Sequence, residues 1–343
     1  MPPAAARTGR IATLALATAR VARLAKPDGE DRMVKFCDAT TQAEFERNGF
    51  VVRRMLNDEE VVRARAQLTE VSSGRSFDRN DCEDSYYNSM FEREPEFQGR
   101  FREAMADIFH PKLDAILSDT RYFETSLLYK PPESRALNVH QHVPLTERPF
   151  EPSVFCWCAL DDCDEESGTL LVVPGSHLIL RFLRTLQTDE FFLEYRDELT
   201  RRHAVAVPVK AGEAILFENS LLHGSTPNSS GRPRPIVLTI VMHEGATHML
   251  YHHDASGEAV MIDNDFDEIQ CQTMFPGGAD VITGQEIGRL PAWNDKPTLE
   301  EFETLLARGE RANETFDPLA QLRAERAATW RGKLSRVVGG LRA

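Results

Sequence analysis

Apolar residues recur at helical spacing over the first third of the chain, and from Tyr122 to Val241 they shift to alternation or short unbroken runs. The first pattern marks helices with one buried face and the second marks strands. Thr41-Gln-Ala-Glu44 has the form of a capping box, which predicts a short helix stopped at Asn48-Gly49. Residues 50–54 follow as a strand. Asn57-Asp58 caps a second helix with Val61, Ala64, Leu68 and Val71 on one side. Residues 72–95 are polar and loop-like, and 97–118 are helical again. Strands are then predicted over Phe123–Lys130, ended by Pro131-Pro132, over Ser153–Leu160, and over Thr169–Val173, ended by Pro174-Gly175. An amphipathic helix over 189–202 carries Phe192, Tyr195 and Leu199 along one side. Strands at 204–209, 214–217 and 236–241 complete the series. Residues 246–297 read as irregular, Thr298-x-x-Glu301 caps a helix through Leu306, and Asp317-Pro318 opens a last helix with a basic end. Many short strands with Gly/Pro turns and few intervening helices predict a β-sandwich or barrel with flanking helices.

Composition narrows the function classes. The chain has 343 residues, 41% hydrophobic and 27% charged, which is ordinary for a soluble globular protein. A net charge of -14 excludes an overall basic footprint for nucleic acid. No apolar run approaches the ~18 residues of a membrane span. The six cysteines show no C-x-x-C spacing, which fits reduced thiols in a cytoplasmic protein. Residues 7–26 carry five basic residues and no acid, and read as an amphipathic surface or packing helix with peripheral membrane contact as the alternative.

The chemistry concentrates in a few places. In Asn138-Val-His-Gln-His142, strand alternation puts His140 and His142 on one face and Gln141 on the other. Two imidazoles on one face are half of a metal site. His223, in Leu222-His-Gly-Ser225, follows a strand and offers a third ligand. Arg234 opens the next strand, and with the Ser225 hydroxyl it suits a dicarboxylate, because guanidinium grips carboxylate with two parallel hydrogen bonds. Cys156 and Cys158 share a strand face but lack zinc partners and read as packing. Asp161-Asp-Cys-Asp-Glu-Glu166 lacks calcium-loop spacing and reads as a solvated turn. His243, His248, His252, His253 and Asp254 read as ordinary polar residues of a loop.

Taken together, these residues resemble the phytanoyl-CoA dioxygenase family of non-haem iron(II), 2-oxoglutarate-dependent oxygenases. The likeness runs over roughly residues 40–243. It is carried by Phe45-Glu-Arg-Asn-Gly-Phe-Val-Val52, Lys130-Pro-Pro, the His-Gln-x triplet, Gly168-Thr-Leu-Leu-Val-Val-Pro-Gly-Ser-His177, and His223-Gly-Ser with an arginine eleven residues on. The resemblance implies a double-stranded β-helix, the cupin-like jelly roll, acting on a small molecule with O2. It implies iron bound by His140 and His223, and the far carboxylate of 2-oxoglutarate held by Arg234 with Ser225, Arg232 being the fallback. It also brings Lys130 towards the cosubstrate or substrate, and places His177 in a structural turn. Hydroxylation with release of succinate and CO2 is the implied outcome.

The chain departs from the family at the third residue of the triplet, where His142 stands in place of Asp. The site then carries one negative charge fewer. Three readings follow: a three-histidine iron centre, a centre completed by another carboxylate or by water, and a non-catalytic or repurposed metal- or ligand-binding site. Three imidazoles also suit zinc, copper or nickel. A three-histidine dioxygenase without 2-oxoglutarate is a further alternative, which Arg234 and Ser225 oppose. Halogenation is disfavoured, because His142 occupies the position a halide needs. The expected layout is a basic amphipathic segment over 1–31, the oxygenase domain over 32–245, and a loop and helical extension over 246–343 packed on the core. Residues 72–100 and 246–297 are the expected lids.

Overall fold

The computed structural model describes residues 34–81, 83–91, 95–147, 153–179, 184–185, 190–254, 256–263, 285–290 and 296–309. The N-terminal basic segment and the helix expected from Asp317 lie outside them.

Two antiparallel sheets form the core. The larger has the order β2 (Phe50–Arg54), β10 (Glu213–Glu218), β7 (Val154–Ala159), β12 (Arg234–His243), β5 (Thr120–Lys130) and β3 (Tyr87–Asn88). The smaller has the order β6 (Leu137–His140), β11 (His223–Ser225), β8 (Leu170–Val172) and β9 (Val205–Val207). Antiparallel strands returning between two facing sheets give the jelly roll expected from the family resemblance. A short pair, β1 (Lys35–Phe36) with β4 (Leu117–Ser118), lies apart from both.

Alternation along the central strands sorts side chains between two cores. Phe155, Trp157, Ile215, Phe217, Leu238 and Ile240 face inward, where they meet Leu170, Val172 and Val207 of the smaller sheet. Cys156, Cys158, Leu216 and Val237 face outward and pack under helices α2 (Asp58–Val71) and α3 (Pro95–Asp114). Both cysteines are therefore packing residues, and burial pushes the Cys156 thiol up to about 12. With both faces covered, β7 is buried along its whole length. The outer face of the smaller sheet, at Val139, Val173 and Leu222, is covered by Leu199 of α4 (Arg196–His203) and Phe302 of α5 (Leu299–Arg308), the latter started by the Thr298/Glu301 capping box.

Four expectations need correction. Helix α1 (Ala39–Asn48) begins earlier than Thr41 predicts, because Asp38 is its cap and accepts from the Thr41 N–H at 2.7 Å. A carboxylate out-competes a hydroxyl at the positive end of a helix, and Glu44 turns instead to Arg53. The helix expected to run to 118 stops at Asp114, since Leu117–Ser118 pairs with β1. The helix expected from 189 starts as a 3-10 turn at Leu193–Tyr195 and becomes α-helical only at Arg196. Residues 246–297 are not irregular throughout: β13 (Met249–His253), β14 (Ala259–Asp263) and β15 (Gln285–Leu290) form a third sheet, whose short apolar runs bury Met249, Tyr251 and Met261. Among the described residues, no helix is long and apolar enough to cross a membrane.

Candidate metal centre and anion pocket

The facing interior of the two sheets encloses a cavity of about 490 Å³, large enough for a small ligand. At its floor β6 and β11 run antiparallel with His140 directly opposite His223. Gly224 allows this approach: a Cβ there would lie 2.5 Å from the Leu137 carbonyl oxygen. Strand β6 ends at His140, but the chain stays extended long enough for alternation to hold. Gln141 is buried, and His142 turns back towards the other two rings. The ligand nitrogens of His140, His142 and His223 all lie within 4.8 Å of one another. A central ion roughly 2 Å from each nitrogen closes that spacing with small ring rotations.

The electrostatics suit a metal. His140 donates from Nδ1 to the Asn138 carbonyl at 3.0 Å, and His223 from Nδ1 to the Leu221 carbonyl at 2.8 Å. Each bond fixes the tautomer that leaves Nε2 free as a ligand. His142 differs, since its buried Nδ1 has no hydrogen-bond partner. Burial drives the His140 imidazole down to about 4, and burial first and the neighbouring histidines second drive His142 and His223 well below the ordinary value. All three are therefore neutral at pH 7. Among the described residues, this group consists of the three histidines.

The peptide between the two triplet histidines is clamped by side chains that also line the cavity. Arg184 donates to the Gln141 carbonyl and pairs with Glu190 at 3.0 Å, while the Gln141 N–H points to the same Glu190 oxygen at 3.4 Å. Glu83 holds the other end, accepting from the Asn138 N–H at 2.8 Å and from its side-chain amide at 3.0 Å. Sequence reasoning missed Glu83, Arg184 and Glu190, because their contacts span 43 to 55 residues and no local motif announces them.

Arg234 lies on the cavity wall, 4% exposed, directly opposite Lys130 in the β5–β12 register. Like charges placed opposite each other destabilise a sheet. The Arg234 guanidinium lies 5.0 Å over the Trp157 ring, and its buried Nε has no hydrogen-bond partner. Lys130 donates to the Ser225 hydroxyl at 2.8 Å, and Ser225 faces the cavity. Burial first, and the Arg234 charge second, bring the Lys130 ammonium down to about 7. Gly168 leaves room for the Lys130 stem, since a Cβ there would lie 2.8 Å from its Cδ. The fallback Arg232 is exposed and its backbone is tied into the Asn228–Ser230 turn.

The other clusters do not converge. His252 and His253 are successive residues of β13, His253 contacts Thr185 at 2.9 Å, and Asp254 is paired with Arg289. His177 binds the Glu46 carbonyl at 2.9 Å, a turn contact. In the acidic turn, Asp161 pairs with Arg65 and Asp162 with Lys210.

Residues 45–236, more than half of the chain, match the family model described as Phytanoyl-CoA dioxygenase (PhyH). An ectoine dioxygenase of Halomonas elongata is 28% identical over 216 residues, covering 55% of this chain and 65% of that enzyme. A phytanoyl-CoA dioxygenase domain-containing protein 1 of Danio rerio is 32% identical over 94 residues, covering 25% of this chain and 32% of that protein. The aligned stretches thus span less than two thirds of either relative. Among solved structures, the non-heme alpha-ketoglutarate-dependent carbocyclase SnoK from nogalamycin biosynthesis superposes with a TM-score of 0.46 at 23% identity, over 62% of this chain and 86% of its own.

Proposed function

The chain belongs to the phytanoyl-CoA dioxygenase family, and we propose that it is an iron(II)- and 2-oxoglutarate-dependent oxygenase that hydroxylates a small organic molecule. The observation that carries this reading is the convergence of three neutral imidazoles on one cavity that also presents an unpaired buried arginine. His140, His142 and His223 hold the metal. When bound, iron(II) supplies the redox chemistry by which 2-oxoglutarate, O2 and R–H become succinate, CO2 and R–OH.

The chain's own residues bind and orient. Arg234 would hold the far carboxylate of 2-oxoglutarate, and Ser225, whose hydroxyl accepts from Lys130, would donate to the same group. A dianion there relieves the repulsion between the two buried cations. Phe155, Trp157 and Phe217 keep water from the inner wall of the cavity. The oxygenase unit is assigned to residues 32–245, with 246–343 as an extension and 1–31 as a separate basic segment, in a cytoplasmic protein.

His142 supports a second reading, a metal-binding member that has lost turnover, because three imidazoles accept zinc, copper or nickel as readily as iron. The test is succinate formation. Protein reconstituted anaerobically with iron(II) and then given 2-oxoglutarate in air is expected to make succinate above a metal-free control. Iron-loaded protein that makes none overturns the oxygenase reading and leaves the second.

A further inference from the structure

One wall of the cavity is built by Glu190, Leu193 and Arg196. Their spacing of three follows from the 3-10 turn at Leu193–Tyr195, in which residues three apart stack on one side. Glu190 is committed to Arg184. Arg196 makes no ion pair or hydrogen bond among the described residues, and its Nε is buried. It is also the first residue of α4, where the helix dipole disfavours a cation. Neither packing nor helix stability accounts for a guanidinium there.

The cavity is also lined by the apolar side chains of Met90, Phe91, Phe123 and Leu145, and Leu193 stands 45% exposed. The acids that line the cavity are all engaged. Asp81 accepts the N–H groups of Glu83, Ser85 and Tyr86 within its own turn, Glu83 holds Asn138, and Glu190 holds Arg184. With Arg234 assigned to 2-oxoglutarate, the guanidinium of Arg196 is left for a second anion, and one guanidinium suits a monoanion better than a phosphate dianion, which needs more donors.

We propose that the substrate is a carboxylic acid with an apolar body, its carboxylate paired with Arg196 and its hydrocarbon part against the Met90–Phe91–Phe123–Leu145 wall, presented to the three histidines. This rests on the oxygenase reading for the word substrate but not for the binding site. The test is calorimetry on the zinc-loaded full-length protein with 3-phenylpropanoate, its neutral amide and the corresponding amine, needing neither iron nor 2-oxoglutarate. Failure of this assay therefore leaves the succinate test intact, and the reverse. The acid is expected to bind at least about tenfold tighter than the amide, a difference of about 1.4 kcal/mol. That preference should disappear in Arg196→Gln, return in part in Arg196→Lys, and persist in Arg234→Gln. A preference that survives Arg196→Gln, that depends on Arg234 instead, that runs towards the amine, or an acid that does not bind at millimolar concentration overturns the proposal.

Discussion

His140 and His223 face each other across the β6–β11 pair as direct register partners, with ring centroids 4.4 Å apart and each Nδ1 tied to the carbonyl two residues before it. The backbone of two strands thus sets both ring orientations before any metal arrives. Replacing either by Ala is expected to lower metal affinity by at least about a hundredfold, the scale seen when metal-ligand geometry is disturbed. Nickel(II) should then no longer raise the unfolding temperature as it does for the unmodified protein. Thermal unfolding with and without the ion is the measurement.

Gly224 makes that register possible, so Gly224→Ala should damage both fold and site. The added methyl meets the Leu137 carbonyl oxygen at 2.5 Å and the Asn138 carbonyl carbon at 3.0 Å, and strand β6 must shift. A loss of about 1–3 kcal/mol is expected, typical of overpacking, together with weakened metal binding. Gly99→Ala is the control. Gly99 lies within helix α3 with nothing within 4 Å of its added Cβ, so that change should stabilise by up to about 1 kcal/mol.

His142→Asp tests the residue that departs from the family. If the imidazole is a ligand, the carboxylate adds a negative charge to the centre, and both metal affinity and the metal's absorption spectrum change. Unaltered spectrum and affinity would show that residue 142 does not touch the ion.

Legibility in the sequence was uneven, and the reasons are physical. His140, His223, Ser225 and Arg234 were readable because strand alternation and short motifs are local, and the structure brings them to one cavity. Strand-like runs with turn residues between them gave a sandwich or barrel, and the family resemblance narrowed that to the jelly roll. The C-terminal sheet was not readable, since its strands are five or six residues long and their apolar runs are too short to show a period. Asp38 was overlooked as a cap because Thr41 and Glu44 satisfy the same pattern three residues later. No motif marks Arg196, which follows the 3-10 turn and lines the cavity.

Acid should unfold the metal-free protein early. His140 is held down to about 4, and His142 and His223 well below the imidazole value of 6.5. The unfolded chain therefore binds protons that the folded chain refuses, and stability is lost as pH falls from 6.5 towards 4. Urea unfolding across that range is expected to show this loss, reduced in His142→Asn.

Lys130 acts in the opposite range. Its folded value of about 7 lies below the ordinary 10.5, so the unfolded chain retains the proton between them and stability rises with pH across that window. Lys130→Met should flatten the rise. A bound 2-oxoglutarate dianion favours protonated Lys130, so its affinity, read by calorimetry on the metal-loaded protein, should fall as pH climbs above 7 and lose that dependence in Lys130→Met. Arg234→Gln should weaken 2-oxoglutarate binding more than that rise in pH does, while leaving metal binding in place.

The three-histidine centre is tested most directly by X-ray absorption at the iron edge of the anaerobic, iron(II)-loaded protein. Three imidazoles around the metal, falling to two in His142→Ala, are the expected result. Two imidazoles in the unmodified protein, unchanged by that substitution, would contradict it.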